Sequence, residues 1–215
     1  MRSRSPIPSL SASRLPTFAG CACLTLVLAA CADDTADTSA DSGVTDDTSA
    51  ADGSFTPSAY PAGPYGSETG QVLADLTFQR PDGSEVSLSE LRASGDNQYL
   101  FLNTAAFWCG ACIEEQPEIQ ALHNDYGDRG LLTVVTVFED ASAYPATAED
   151  AARWRDNHDL TFPVVADASG AFTPLYDTAL APFNMLVELS TMTIVFRGYG
   201  NQVSTIRSTL DLVLQ

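Results

Sequence analysis

The sequence predicts one α/β domain with a mixed sheet flanked by helices, and three observations lead there. Apolar and β-branched runs of strand length alternate with helical segments. The run Leu131 to Phe138 is apolar without alternation, as a strand covered on both faces must be. A hairpin followed by a helix closes the chain. A length of 215 residues, 45% of them hydrophobic, suits one such domain plus appendages and excludes several large ones.

The elements follow in order. Leu73 to Gln79 and Glu85 to Leu88 flank Pro81-Asp82-Gly83-Ser84, a turn signal, and read as a hairpin. Ser89 then caps a short helical turn, and Tyr99 to Thr104 reads as a buried strand. Ala111 to Tyr126 reads as a helix kinked by the internal Pro117. Leu131 to Phe138 is the next strand, a helix runs from Thr147 to about His158, and Phe162 to Ala166 is a further strand. Met185 to Leu189 and Thr193 to Phe196 form the late hairpin, and Ser204 to Leu214 the closing helix. No internal repeat is present.

The N-terminal region reads as targeting and tether. Arg2, Arg4 and Arg14 precede an apolar run from Phe18 to Ala30 with no acid, the layout of a secretory signal peptide. The run is about 13 residues, against roughly 20 for a membrane-spanning helix. It ends in Leu28-Ala29-Ala30-Cys31, which resembles the lipobox of bacterial lipoproteins, so residues 1–30 are expected to be cleaved and Cys31 lipidated. Ala32, rather than Asp, follows the cysteine and leans the expected location towards the outer membrane. Residues 33 to 59 are built almost wholly from Asp, Thr, Ser, Ala and Gly and cannot bury a core. Residues 31–65 are therefore expected to form an extended acidic tether, and residues 66–215 the domain. Calcium binding by Asp33, Asp34, Asp46 and Asp47 would need a glycine-turned cage closed by Glu, which the tether lacks.

Charge excludes one class of partner. The chain carries 10 basic residues, all Arg, against 28 acidic, for a net charge of −18. Cleavage at Cys31 removes three Arg and no acid, leaving seven against 28, a net −21. Such a surface repels phosphate backbones, so nucleic-acid binding is not expected.

The cysteines carry the chemistry. Of five, Cys21 and Cys23 leave with the signal and Cys31 is acylated, which leaves Cys109 and Cys112 as thiols. They sit in Trp108-Cys109-Gly110-Ala111-Cys112, after an apolar strand and at a helix start. A helix N-terminus stabilises a thiolate, which makes Cys109 the nucleophile, and Cys112, one turn on, can close a disulfide and resolve a mixed one. A bridge enclosing two residues constrains the unfolded chain little, so it is a poor structural staple. A zinc site would need two further ligands, and His123 and His158, the only histidines, read as surface or helix-end residues. No metal or organic cofactor is expected.

Asn103 to Cys112 (NTAAFWCGAC), followed by Ile113-Glu114-Glu115-Gln116-Pro117, resembles the active-site strand and W-C-x-x-C helix of the TlpA/ResA-like thioredoxins, which are membrane-anchored thiol-disulfide oxidoreductases. The similarity continues through Tyr126-Gly127-Asp128-Arg129-Gly130-Leu131, Leu88-Ser89-Glu90-Leu91 upstream and Leu160 to Asp167 downstream. It implies a thioredoxin-like fold whose mixed central sheet carries an N-terminal β-hairpin extension, and exported protein thiols or disulfides as partners of a monomer. It also implies a cis-proline facing the cysteines, for which Pro182 in Ala181-Pro182-Phe183 stands in the right place; Trp108, Ala181 and Pro182 would then meet the substrate.

The chain departs from the pattern at two points. Gly-Ala separates the cysteines where thioredoxins carry Gly-Pro, and Asn103 stands where thioredoxin has a buried, proton-accepting Asp. Glu115 is the nearest substitute, either as that proton acceptor or as a solvated helix residue. Trp108 and Phe107 read equally as packing and as substrate surface, and Glu139 to Ala146 as a substrate-facing loop. A peroxiredoxin-like peroxidase would set its cysteine in a Pro-x-x-x-Thr-x-x-Cys frame, but Ala106 stands three residues before Cys109. A copper-binding assembly factor would need C-x-x-x-C and a distant His. A partner-binding lipoprotein is the remaining alternative.

Overall fold

The computed structural model describes residues 59–215. The expected signal peptide, Cys31 and most of the expected tether, including its Asp pairs, lie outside the described residues. In chain order the elements are β1 (Thr77–Gln79), β2 (Glu85–Ser87), α1 (Leu88–Ala93), β3 (Tyr99–Ala106), α2 (Gly110–Tyr126), β4 (Leu131–Glu139), α3 (Ala148–Asn157), β5 (Val164–Ala166), β6 (Phe183–Glu188), β7 (Thr193–Tyr199) and α4 (Val203–Val213). The strands form one mixed sheet in the order β2-β1-β5-β4-β3-β6-β7.

Sequence pattern dictates this order. β3, β4 and β5 run parallel because α2 and α3 supply the crossovers that parallel strands need. β6 returns antiparallel on the other edge of β3, so β3 lies between two long strands. Leu100, Phe101 and Leu102 are fully buried there, each stabilising the fold by about 1.5–3 kcal/mol. α2 packs on β3 and β4 and against α4, while α3 packs on β4 and β5.

Several boundaries differ from the sequence expectation. Ser87, not Ser89, caps α1: its hydroxyl accepts from the Glu90 N–H, and Glu90 reaches back to the Ser87 N–H in a reciprocal capping box. Ser89 instead donates to Asp75. The hairpin strand starts at Thr77 rather than Leu73, because the Leu73 N–H donates to the Met192 carbonyl at 2.8 Å and the Ile194 N–H to that of Gln71 at 2.9 Å. That segment pairs with the beginning of β7, across the sheet from its own hairpin. β5 starts at Val164 because Pro163 has no N–H to enter the ladder. Packing also reaches back before residue 66: half-buried Tyr60 donates its hydroxyl to the Leu73 carbonyl at 2.9 Å.

Candidate active site

The site forms where β3 ends. At Ala105 and Ala106 the register with β4 shifts, and the chain leaves the sheet through Phe107 and Trp108 before entering α2. Cys109 is the N-cap of α2 in extended conformation (φ −87°, ψ 98°), and its sulfur accepts from the Cys112 N–H at 3.1 Å. The cap position thus puts a sulfur where helix starts ordinarily place an oxygen. No acidic residue occupies the first turn of α2, so nothing there offsets the positive end of the helix dipole.

Cys109 and Cys112 form a disulfide with Cα atoms 5.2 Å apart. They differ in access: Cys109 keeps 5% of its surface, Cys112 none. Exposed Gly110 and Ala111 leave open the side from which a partner would approach.

The Ala181–Pro182 peptide is cis, and the Ala181 carbonyl oxygen lies 3.7 Å from Cys109 Sγ. β6 starts at Phe183, whose N–H donates to Thr104 Oγ1 at 2.8 Å. Tyr176 stacks on the Phe183 ring with centroids 5.0 Å apart. The loop before β6 is therefore fastened to β3 beside the cysteines. A second cis bond, Gly63–Pro64, lies outside this region and was not foreseen from the sequence.

Glu115 is not a solvated helix residue. One turn beyond Cys112 and on the same side of α2, it is 1% exposed. Its Oε1 accepts from Asn103 Nδ2 at 2.6 Å, while Oε2 has no partner. Burial pushes its carboxyl up to about 8; the Asn103 hydrogen bond works against this and the Glu118 carboxylate adds to it. A buried carboxyl whose proton affinity approaches that of an ordinary thiol, about 8.5, is suited to exchange a proton with a neighbouring cysteine once the disulfide is reduced.

Trp108 is 45% exposed, with its indole N–H donating to Glu139 Oε2 at 2.7 Å and its ring edge-on to Phe138. Phe107 is packing: it lies edge-on to Trp154 beneath the Arg153 guanidinium. The Glu139 to Ala146 stretch folds back on itself through Asp140, whose carboxylate accepts from the Ser142 and Tyr144 N–H groups at 2.7 and 2.9 Å. Glu139 ties it to Trp108, and Tyr144 is exposed at its tip. His158 caps α3 and His123 lies half-buried against Phe162. His123 follows Cys112 by three turns of α2, roughly 16 Å along the axis, too far to share an ion with it.

Sequence reasoning gave Asn184 and Thr104 no role at the site and took Glu139 only as the start of a substrate-facing loop. Asn184 carried a readable signal: an Asn within the apolar run Phe183 to Val187 must find a buried partner.

A disulfide at a helix N-terminus after an inner strand of a mixed sheet, faced across 3.7 Å by the carbonyl of a cis X-Pro pair, defines a protein of the thioredoxin-like class. The chain belongs to the AhpC/TSA family, whose match covers residues 69–199. It is 32% identical over 107 residues to the thiol-disulfide oxidoreductase ResA of Oceanobacillus iheyensis, covering 50% of each chain. It is 29% identical over 105 residues to the thioredoxin-like protein YneN of Bacillus subtilis, covering 49% of this chain and 57% of that one. The chain thus spans about half the length of these curated relatives. Among solved structures, a putative thiol:disulfide interchange protein DsbE from Chlorobium tepidum superposes with a TM-score of 0.57 at 18% identity, over 69% of this chain and 99% of that one. A hypothetical protein from Sinorhizobium meliloti gives 0.58 at 23%, over 68% and 84%. These structural likenesses show the fold.

Proposed function

We propose that the protein is an exported, membrane-tethered thiol-disulfide oxidoreductase that exchanges disulfides with protein clients through Cys109 and Cys112. The observation that carries this reading is the Cys109–Cys112 disulfide at the N-terminus of α2, facing the Ala181 carbonyl. In the reducing direction the Cys109 thiolate attacks a client disulfide, forms a mixed disulfide and releases one client thiolate, which takes up a proton. Cys112 passes its proton to the Glu115 carboxylate and attacks Cys109 Sγ. The Cys109–Cys112 bond forms, the mixed disulfide breaks, and the second client thiolate leaves. Two electrons pass from the protein pair to the client, and the reverse sequence oxidises a client dithiol.

Greater exposure supports Cys109 as the attacking sulfur and full burial Cys112 as the resolving one. Ala181 and Pro182 would align the client chain, and exposed Trp108, Ile113 and Leu180 offer apolar surface beside the cysteines. The Arg-bearing apolar leader and the Leu28 to Cys31 motif support export and lipid anchoring. Peroxidase chemistry is not favoured, because Ala106 and Leu102 occupy the places of the Thr and Pro in a peroxidatic frame.

Cys112→Ser should accumulate covalent adducts with exported proteins that dithiothreitol releases, whereas Cys109→Ser should trap none. The reverse pattern would exchange the two roles. No adduct with either variant, together with peroxide consumption by the wild type, would replace the reading with a peroxidase.

A further inference from the structure

We propose that Asn184 is a positioning residue that sets the direction of the buried Asn103 amide and so keeps it a hydrogen-bond donor to Glu115. The chain of contacts begins at a group whose polarity cannot change. The Gly200 carbonyl can only accept, and Asn184 Nδ2 donates to it at 2.8 Å. Asn184 therefore turns its oxygen the other way, where it accepts from Asn103 Nδ2 at 3.0 Å. The second hydrogen on that nitrogen goes to Glu115 Oε1 at 2.6 Å. Asn103 and Asn184 are register partners on β3 and β6, and both are wholly buried. Neither amide can turn to water for a substitute partner.

Direction matters because an amide has one donating and one accepting end. With the Asn103 nitrogen towards Glu115, the carboxylate is stabilised. With its oxygen there, two acceptors would meet at hydrogen-bond distance unless Glu115 carried a proton to donate. Amide orientation thus selects the protonation state of Glu115. The other charged or titratable groups near this carboxyl come from α2 itself, namely Cys112 and Glu118. β3 and β6 present the neutral Asn103 and Asn184, the β4 register partner of Asn103 is the apolar Val135, and the charged groups of α4, Arg207 and Asp211, pair with Asp125 and Tyr126 at the far end of α2.

Gly200 anchors the relay for a local reason. Its φ of +70° suits glycine, and its N–H donates to the Pro182 carbonyl at 2.8 Å. One residue therefore holds both the proline loop and the start of the amide chain.

The consequence for disulfide exchange rests on the proposed function, but the test need not. The oxidised protein has no titrating active-site thiol, so the carbon-13 shift of the Glu115 carboxyl reports its protonation directly. Asn184→Leu should raise the titration midpoint by about one pH unit, a tenfold change in proton affinity. Asn103→Ala should raise it at least as far, and the double variant should match Asn103→Ala alone. An unmoved midpoint in folded Asn184→Leu, or additive shifts in the double variant, would overturn the assignment. If Asn184→Leu does not fold, Asn184→Ser, too short to hold both neighbours, should move the midpoint in the same direction, and an unmoved midpoint there would equally overturn it. Failure to trap a client would sink the exchange reading and leave this result standing.

Discussion

Two buried carboxylates show what burial alone does not decide. Asp167, 2% exposed at the end of β5, accepts from the Phe172 N–H, the Thr173 N–H and the Thr173 hydroxyl at 3.1, 3.0 and 2.8 Å. Glu115, 1% exposed, has one donor and an unpartnered oxygen. The first is held by its own loop and pins the turn after β5. The second is starved of donors beside a cysteine, so its proton is easily gained and lost near neutral pH. Equal burial thus holds one carboxylate fully and leaves the other with a free oxygen for the proposed proton transfer, and the number of donors makes the difference.

Glu115→Gln should break the chemical half of this contrast. Gln keeps an acceptor for Asn103 but cannot take a proton from Cys112, so the resolving step should slow by about 100-fold at neutral pH. Stopped-flow measurement of mixed-disulfide decay checks this; unchanged decay would leave Glu115 with no part in the reaction. Asp167→Asn should break the structural half. It sets an amide against donors and should destabilise the fold by about 1–3 kcal/mol, read from urea midpoints, with exchange unchanged where the variant is folded.

The pH dependence of stability sharpens the comparison. Burial raises the Glu115 carboxyl to about 8 in the folded protein from its ordinary value of 4.5. Between those values the folded state holds a proton that the unfolded state has lost, so stability falls as pH rises, by about 1.4 kcal/mol per unit from this group. Glu115→Gln should remove that slope: its stability relative to wild type should be constant below pH 4.5, rise through the interval and level off above pH 8. Parallel curves for the two proteins across that range would mean the carboxyl is not buried in its charged form. The smallest effect is expected at Trp108, whose half-exposed ring would meet a client under the proposed function. Trp108→Ala should raise KM for a protein client about five-fold with kcat unchanged, a loss near 1 kcal/mol.

Much of this was legible from local pattern. The cysteine pair, the helix that follows it and the Thr147 start of α3 all depend on residues within a turn of one another. Errors came where a partner lay far along the chain. Leu73 looks like part of its neighbouring hairpin, yet it pairs beside β7 because the sheet brings Met192 alongside. Glu115 looks equally suited to solvent and core, since charged residues flank it on α2.

By itself the sequence determined the class of fold and the two sulfurs, because strand and helix periodicity, cap chemistry and a four-residue spacing act over short distances. Only the tertiary structure decided that Glu115 is buried, that Asn184 stands behind Asn103 and that the Ala181 carbonyl meets Cys109. Those contacts join groups 12, 81 and 72 positions apart. Sheet register and helix packing bring them together, and no local pattern of residues encodes either.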